Sequence, residues 1–273
     1  MKKTTYAWTL SILLLSACVN SKAVVDPVVD PVPQTGTKLE VFNITSENTG
    51  ISYPVHVYLP PGYEETEKDF PVIYWTDGQW YFHGMAGILE ELNIRAVMVS
   101  VEQGGDDRRA TDYMTPGSNT YFKFFADELL PQIEKTYRID TSERTLSGVS
   151  AGGAFSAQAL IADTNDPPLF KNYFLFDGAL YMSHPDGEWK YMENSENHYK
   201  DRYKEMLKSN PELDIHVVLT YSYPRGNEVF SKRFYNEIDE MGFEKLKLSI
   251  KGFETTHEQI GGPSFRYALG EVF

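Results

Sequence analysis

Two hydrophobic patterns follow one another along the chain after residue 38. Apolar and polar residues alternate over Leu39 to Thr45 and over Tyr53 to Leu59, which predicts two antiparallel strands with one solvated face. Shorter and almost continuous apolar runs come next, and such runs suit strands that are buried on both faces. They predict strands at 71–75, 94–101, 173–176, 215–221 and 246–250.

Segments whose apolar residues recur at helical spacing lie between these predicted strands. Phe122, Phe125, Leu129 and Ile133 recur at steps of three and four residues, and Pro131 should kink the helix that carries this apolar stripe. Helices are predicted at 85–92, 118–137, 151–162 and 225–241, and after Gly261-Gly262-Pro263. The alternation predicts one α/β domain over residues 39–273, with a mostly parallel sheet of about eight strands and helices on both faces.

Composition narrows the choice of partners. With 41% hydrophobic and 14% aromatic residues, the chain can bury a large core. The formal net charge of -14 argues against nucleic acid, which needs a basic face to bind its phosphates. The sequence contains no metal-ligand spacing, phosphate loop or dinucleotide fingerprint, so we expect neither a metal nor a cofactor.

Residues 1–18 have the pattern of a targeting segment. Lys2 and Lys3 precede a short apolar run, and Leu15-Ser16-Ala17-Cys18 resembles a bacterial lipoprotein cleavage box. This pattern predicts a signal peptide and lipidation at Cys18, which would bring the protein to a membrane. The alternative is an ordinary signal peptide with an incidental cysteine. Because Cys18 is the only cysteine, an intramolecular disulfide is excluded.

A proline-rich stretch over residues 19–38 is predicted to be an extended tether between the anchor and the folded domain. By resemblance to lipoprotein sorting in Gram-negative bacteria, the non-acidic Val19 after the cysteine predicts a place in the cell envelope at the outer membrane.

The candidate nucleophile is Ser150. It lies in the pentad Gly148-Val149-Ser150-Ala151-Gly152, which fits the G-x-S-x-G nucleophile elbow between a strand and a helix. Side chains at the two outer glycines would collide with the neighbouring strand or helix. The backbone N–H of Ala151 is then a candidate oxyanion donor.

A serine nucleophile needs a base and a group that orients the base. His257 follows the last predicted strand and is the final histidine, so it is the candidate base. Glu228, after the strand that ends near Tyr221, is preferred as the acid. Asp177, at the end of the preceding strand, is the alternative, and a serine–histidine dyad is a further one. His83, His184 and His198 are weaker candidates for the base, and His56 is interpreted as a strand-face residue.

Two loops are candidates for contact with a ligand. Gln79 or Trp80, in Thr76-Asp77-Gly78-Gln79-Trp80, would supply the second oxyanion N–H, with Gln79 preferred and Trp80 also a candidate for substrate binding. The polar loop over 102–117 carries Arg109 and Tyr113, which are candidate substrate-binding residues. The stretch over 179–198 is interpreted either as a flap with aromatic walls or as a surface excursion.

Taken together, these motifs resemble the esterase family of α/β hydrolases, which includes ferric enterobactin esterases, S-formylglutathione hydrolases, feruloyl and acetyl xylan esterases and mycolyltransferases. Besides the Ser150 elbow, the resemblance is carried by the segments 57–63, 71–74, 77–79, 109–116, 125–131 and 137–138. It implies the α/β-hydrolase fold over residues 39–273, and the branch of siderophore esterases is the most similar. The chain departs from the family at Asp177-Gly178, where family members often have Ser-Pro.

Three functions are compatible with this pattern. The leading hypothesis is a serine hydrolase of carboxylic esters that forms an acyl-enzyme on Ser150 and acts on a small-molecule substrate. An acyltransferase would pass the acyl group to a sugar or lipid, and a lipid-anchored binding protein would use the same scaffold with little or no catalysis. A siderophore trilactone, a plant-wall ester and a short-chain ester would all need the same catalytic groups.

Overall fold

A nine-stranded sheet organises the part of the chain that the structure describes. The structure is a computed structural model, and it describes residues 35–273 except 106–107, 166, 184–188, 192–213 and 243–244. The predicted signal peptide, Cys18, most of the predicted tether, His184 and His198 lie outside the described residues. No helix among the described residues is long and apolar enough to cross a membrane.

The strands are β1 Thr37–Lys38, β2 Phe42–Thr45, β3 Ser52–Leu59, β4 Phe70–Thr76, β5 Val97–Val101, β6 Ile139–Val149, β7 Asn172–Phe176, β8 Tyr181–Ser183, β9 Trp189–Tyr191, β10 Ile215–Tyr223 and β11 Leu246–Glu254. The strands of the sheet are arranged in the order β1-β3-β5-β4-β6-β7-β10-β11, and β2 pairs with β3. Pairing is antiparallel where β3 meets β1, β2 and β5, and parallel from β5 to β11. Two further strands, β8 and β9, form a separate hairpin.

Helices cover both faces of the sheet, as predicted. The seven α-helices among the described residues are α1 Gly78–Glu91, α2 Arg108–Asp112, α3 Gly117–Lys123, α4 Leu130–Thr136, α5 Ala151–Ala162, α6 Glu228–Asp239 and α7 Gly261–Val272. In β4, Tyr74 belongs to the core under α3 to α6, whereas Trp75 belongs to the core under α1 and α7. Consecutive residues of a strand point to opposite faces, so one buried strand contributes to both cores.

The helix predicted over 118–137 is interrupted, as Pro131 indicated. A π-helical segment, Phe124–Leu129, joins α3 to α4, and Pro131 is the second residue of α4. Proline lacks the N–H for the regular helical bond, and its ring crowds the carbonyl one turn earlier. The wider π turn before Pro131 accommodates that conflict.

Several boundaries differ from the predictions. Residues 37–38, predicted to be tether, pair with the end of β3 and so belong to the folded domain. The strand predicted to begin at 94 begins at Val97, and the last strand continues to Glu254. The loop predicted over 102–117 contains α2.

The carboxyl ends of the central parallel strands lie side by side. Trp75 pairs with Ser147, Val149 pairs with Phe176, and Phe176 pairs with Thr220. The residues that follow β4, β6, β7 and β10 therefore meet at one edge of the sheet, which is where ligands bind in α/β proteins of this kind.

Candidate active site

Ser150 occupies a strained turn between β6 and α5. Its φ is 59° and its ψ is -118°, a conformation that residues other than glycine rarely adopt. Its N–H donates to the carbonyl of Phe176 at 2.9 Å, and its carbonyl accepts the N–H of Ala179 at 2.9 Å. These two hydrogen bonds join the turn to the end of β7 and hold Ser150 at the edge of the sheet.

The outer glycines of the pentad lie where no side chain fits. A Cβ on Gly148 would lie 2.4 Å from the carbonyl carbon of Gly152, and a Cβ on Gly152 would lie 2.2 Å from Oγ1 of Thr76. Both distances are well below van der Waals contact. The steric reason for glycine that we inferred from the sequence is therefore confirmed at both positions.

His257 is bound to Asp177. Nδ1 of His257 and Oδ2 of Asp177 are 2.7 Å apart. Asp177 is fully buried and directly follows β7, whereas His257 is partly exposed in the turn after β11. The N–H of Ser150 donates to the carbonyl of Phe176, the residue before Asp177. The candidate nucleophile, the candidate base and the Asp177 carboxylate therefore lie at the same edge of the sheet.

The prediction that Glu228 pairs with His257 is wrong. Glu228 is the first residue of α6, and its Oε1 accepts from Nζ of Lys232, one turn further along the helix, at 2.7 Å. The side chain is oriented along the exposed surface of α6. Asp177, the alternative considered from the sequence, is instead the partner of His257 in the structure.

The end of β10 and the loop that joins it to α6 provide hydrogen-bond donors around the Asp177 carboxylate. Oδ1 accepts the N–H of Asn227 at 2.8 Å and the N–H of Ser222 at 3.2 Å, and Oδ2 also accepts the Ser222 hydroxyl. Nδ2 of Asn227 donates to the Asp177 carbonyl at 2.7 Å. A Cβ on Gly226 would lie 2.8 Å from Oδ2 of Asp177, so this loop packs closely against the carboxylate.

These contacts set the charge of both partners. Burial acts to raise the pKa of Asp177, but the hydrogen bonds from His257, Ser222 and Asn227 outweigh it and bring the pKa below its usual value. The hydrogen bond to Asp177 is the main cause that raises the pKa of His257 above 6.5, and burial opposes it. A carboxylate held ionised against Nδ1 orients the imidazole and stabilises its protonated form.

Two backbone N–H groups are available as oxyanion donors. Ala151 is the first residue of α5, and Gln79 is the second residue of α1. Neither N–H has an acceptor among the described residues, as expected in the first turn of a helix. The Trp80 N–H donates to the carbonyl of Asp77 at 3.0 Å, so Gln79 is the better candidate of the two considered from the sequence.

Gln79 is also held through its side chain. Its Oε1 accepts the N–H of Gln103 at 3.2 Å, which ties the start of α1 to the segment after β5.

The three predicted substrate-binding residues have different surroundings. Trp80 is 60% exposed, so it is free to contact a ligand. Tyr113 is 1% exposed, and its hydroxyl accepts the N–H of Asp77 at 3.3 Å. The prediction that Tyr113 binds substrate is therefore wrong, because its ring lies inside an aromatic cluster with Tyr121 and Phe155.

Arg109, the third, has a buried partner. It donates from Nε to Oδ1 of Asp77 at 2.7 Å and from Nη2 to Oδ2 at 2.9 Å.

Sequence reasoning did not identify Ser222, Asn227 or the role of Asp77. Asn227, the residue before the predicted acid Glu228, donates to Asp177 from its backbone N–H and from its side-chain amide. Arg109 was predicted to contact a ligand, but its pairing with Asp77 could not be predicted because the two residues are distant in sequence.

Two other histidines in the described part of the chain, His56 and His83, are less suitable as bases. His56 lies on β3, as predicted, and its Nε2 is 2.6 Å from Oε1 of Glu102. His83 is exposed on α1. Within the described part of the chain, no group of three or more histidine, cysteine, aspartate or glutamate side chains could hold a metal ion.

Comparisons with known proteins find a family match over most of the chain. The family described as "Putative esterase" matches residues 46–257. The ferri-bacillibactin esterase BesA of Bacillus subtilis (strain 168) is 32% identical over 69 residues. That match covers 25% of this chain and 23% of BesA, so it spans less than a quarter of that relative.

Solved structures resemble the whole fold. An IroE-like serine hydrolase from Shewanella oneidensis matches 85% of this chain and 79% of its own, with a TM-score of 0.69 and 19% identity. The BES protein from Bacillus cereus matches 86% and 95%, with a TM-score of 0.68 and 20% identity. The siderophore hydrolase EstA from Aspergillus nidulans matches 90% and 96%, with a TM-score of 0.66 and 16% identity. At these identities the likeness concerns the fold, and the predicted α/β-hydrolase architecture is confirmed.

Proposed function

Since the chain belongs to this esterase family, we propose that it is a serine hydrolase of carboxylic esters in which Ser150, His257 and Asp177 form the catalytic triad. The observation that carries the proposal is the 2.7 Å contact between Nδ1 of His257 and the buried Asp177 carboxylate, at the edge of the sheet that holds Ser150. A histidine oriented in this way has its Nε2 available as a base.

The proposed reaction has two halves. Nε2 of His257 takes the proton of the Ser150 hydroxyl as Oγ bonds to the ester carbonyl carbon, and the negative oxygen that forms accepts the N–H groups of Ala151 and Gln79. The carbon–oxygen bond to the alcohol then breaks, and His257 returns the proton to the leaving alcohol. Water repeats the sequence on the acyl-enzyme, which releases the acid and restores Ser150.

For the substrate class, we propose small esters and, first among them, siderophore-like esters. The support is the relative named as a ferri-bacillibactin esterase and the siderophore hydrolase among the similar folds. The exposed Trp80 ring beside Arg109 offers a flat surface at the site for such a molecule.

Steady-state hydrolysis of an ester panel tests this function. We expect turnover of at least one ester by the wild type and a loss of about 10³-fold or more in kcat for Ser150→Ala, with Glu228→Gln as the control on the neighbouring helix. Unchanged turnover in Ser150→Ala would contradict the proposal. Product analysis with an added acceptor alcohol distinguishes hydrolysis from acyl transfer. Tight binding of an ester without turnover would support the alternative function, a binding protein on the same scaffold.

We also propose that the protein is lipid-anchored at Cys18 in a bacterial cell envelope, at the outer membrane. The support is the sequence Leu15-Ser16-Ala17-Cys18 after a basic start and an apolar run. Mass spectrometry of the mature N-terminus should find a lipid on Cys18, and Cys18→Ser should release the protein from the membrane fraction. An unmodified Cys18, or a soluble wild type, would contradict the anchor.

A further inference from the structure

The guanidinium of Arg109 donates two hydrogen bonds to the carboxylate of Asp77. Its two bonds to Asp77, at 2.7 and 2.9 Å, form a bidentate pair, and the Asp77 side chain is fully buried. The Arg109 guanidinium carbon lies 5.1 Å from the centre of the Trp80 ring and 5.7 Å from that of Tyr113. The planar group is thus fixed by two hydrogen bonds and two aromatic rings.

Asp77 in turn holds the segment that carries the second oxyanion donor. It adopts a left-handed conformation with φ 60° and ψ 42°. Its N–H donates to the hydroxyl of Tyr113 at 3.3 Å, and its carbonyl accepts the N–H groups of Trp80 at 3.0 Å and Tyr81 at 3.2 Å. Gln79 is two residues further along, so the position of its N–H depends on that of Asp77.

The same carboxylate lies against the nucleophile elbow. A Cβ built on Gly152 would be 3.3 Å from Oδ2 of Asp77. Gly152 directly follows Ala151, which supplies the first oxyanion donor. Asp77 therefore directly precedes α1 and lies close to the start of α5, the two elements that carry the proposed oxyanion donors.

We propose that Arg109 is a positioning residue for the oxyanion hole. By holding Asp77 in place, it fixes the spacing between the Gln79 N–H on α1 and the Ala151 N–H on α5. The inference depends on the proposed ester hydrolysis for its role in catalysis. Such donors stabilise the transition state only when they lie about 2.7–3.1 Å from the developing oxyanion, so a small shift of α1 reduces the rate.

A comparison of neighbouring arginines tests the proposal against direct substrate binding. Arg109→Met removes the two hydrogen bonds and retains much of the apolar stem, while Arg109→Lys keeps the charge without the bidentate geometry. Arg108→Met is the matched control, because Arg108 pairs with Asp112 in its own helix. The readouts are kcat and KM for p-nitrophenyl acetate, p-nitrophenyl butyrate and a bulky aryl ester.

We expect Arg109→Met to lose about 100-fold in kcat on all three esters, with KM changed by less than about threefold. Arg109→Lys should lose activity in the same way but to a smaller extent, and Arg108→Met should stay within about threefold of wild type. A loss confined to KM, or one that varies with the acyl group, would assign Arg109 to substrate binding and overturn the proposal. An equal loss in Arg108→Met would also overturn it.

Arg109→Met leaves the Asp77 carboxylate buried and unpaired, which can prevent folding. The double variant Asp77→Asn/Arg109→Met removes both charges, and circular dichroism checks that it folds. The proposal expects the folded double variant to lose kcat as Arg109→Met does. A double variant with the kcat of wild type would overturn it.

Hydrogen–deuterium exchange gives a readout that does not depend on activity. Amides of the peptide that contains residues 77–80 should exchange faster in Arg109→Lys than in wild type, whereas Arg108→Met should leave them unchanged. If the wild type hydrolyses no ester, the proposed function fails but exchange still tests whether Arg109 holds this segment. Unchanged exchange in Arg109→Lys would overturn the proposal.

Discussion

Asp177 is a buried carboxylate that four hydrogen bonds keep ionised, one each from His257 and the Asn227 N–H and two from Ser222. Removing its charge leaves the histidine without the partner that stabilises its protonated form. Glu228 lies one residue beyond Asn227 but is bonded to Lys232. The two carboxylates therefore form a matched pair for mutation.

We predict that Asp177→Asn reduces kcat by about 10²- to 10⁴-fold, because an asparagine at this position neither stabilises the imidazolium nor selects the correct tautomer. Glu228→Gln should stay within about twofold of wild type, since only an exposed ion pair is lost. Steady-state kinetics on the best ester of the panel measures both. Equal losses in the two variants would contradict the assignment of Asp177.

The pH dependence of kcat/KM reports the pKa of His257 in the free enzyme. His257 must be neutral to accept the serine proton, so activity should be lost as the pH falls through this pKa. Because the hydrogen bond to Asp177 raises the pKa of His257, the midpoint should lie above 6.5. In Asp177→Asn the residual activity should have its midpoint at lower pH. A profile from about pH 5 to 9 measures the shift, and a midpoint that moves upward in the variant would contradict this account.

Single residues differ in how well the sequence identifies them. Ser150 could be predicted as the candidate nucleophile because the turn around it has no room for side chains at Gly148 and Gly152, and this requirement is visible in the local sequence. Asp177 and Glu228 both follow strands that end at the same edge, and only the tertiary arrangement decides which carboxylate reaches His257. Tyr113 belongs to a polar stretch of sequence, but the packing of its ring against Tyr121 and Phe155 buries it.

At the scale of elements, the junction of β4, β6 and α5 leaves little space. Gly152 faces Oγ1 of the buried Thr76, whereas Gly84 on the exposed side of α1 has no neighbour within 4 Å of a built Cβ. The two helical glycines therefore separate the effect of packing from that of helix propensity.

We predict that Gly152→Ala lowers the free energy of unfolding by about 1–3 kcal/mol, because the new methyl group must displace Thr76 or the elbow. Gly84→Ala should raise it by about 0.5–1 kcal/mol, because alanine loses less backbone entropy in a helix. Urea denaturation followed by circular dichroism measures both. If Gly152→Ala is as stable as Gly84→Ala, the steric account of the elbow is wrong.

The pairing of β10 with β11 contains a buried histidine that favours its neutral form. Nε2 of His216 lies 3.0 Å from the Ser249 hydroxyl, which donates to Glu271 at 2.7 Å. Burial is the main cause that lowers the pKa of His216 to about 4, with a further contribution from Lys247, while Glu271 opposes the shift. The unfolded chain then binds more protons than the folded one between about pH 4 and 6.5, so stability rises with pH in this window.

We predict that the free energy of unfolding falls between about pH 7 and 5, with about 2 kcal/mol of the loss due to His216. In His216→Gln the fall should be smaller by that amount, because glutamine keeps a polar contact with Ser249 but binds no proton. His83→Gln, at an exposed position of α1, is the control. An identical fall in wild type and His216→Gln would contradict the assignment.

Elements were predicted more reliably in type than in extent. Strands β4 and β7 were predicted correctly because a strand that is covered on both faces has a continuous apolar sequence. The start of β5 was placed too early, since Ile94 is apolar but lies before the strand, next to the end of α1. The kink at Pro131 was predicted, but the π-helical form of the turn before it depends on packing that sequence does not express.

At the scale of the molecule, the direction of β3 determines where the chain enters the fold. Thr37 pairs with Leu59 at the end of β3, and β3 runs antiparallel to β5. The described chain therefore joins the sheet at the edge opposite to Ser150.

The overall architecture followed from the order of the hydrophobic patterns, because alternating buried strands and helices have few ways to form a covered sheet. The hydrogen bonds between Arg109 and Asp77, and those that Asp177 accepts, could not be predicted from this order of patterns. Each joins residues that are more than 30 positions apart, and sequence periodicity carries no information on such pairs.

The most direct measurement is covalent labelling with a fluorophosphonate probe, with the modified residue mapped by mass spectrometry. Fluorophosphonates react with a serine that a base has activated. We predict one modification, at Ser150, which is absent in Ser150→Ala, strongly slowed in His257→Ala and Asp177→Asn, and unchanged in Glu228→Gln. Folded wild-type protein that remains unlabelled, or that is labelled elsewhere, would contradict the proposed serine hydrolase.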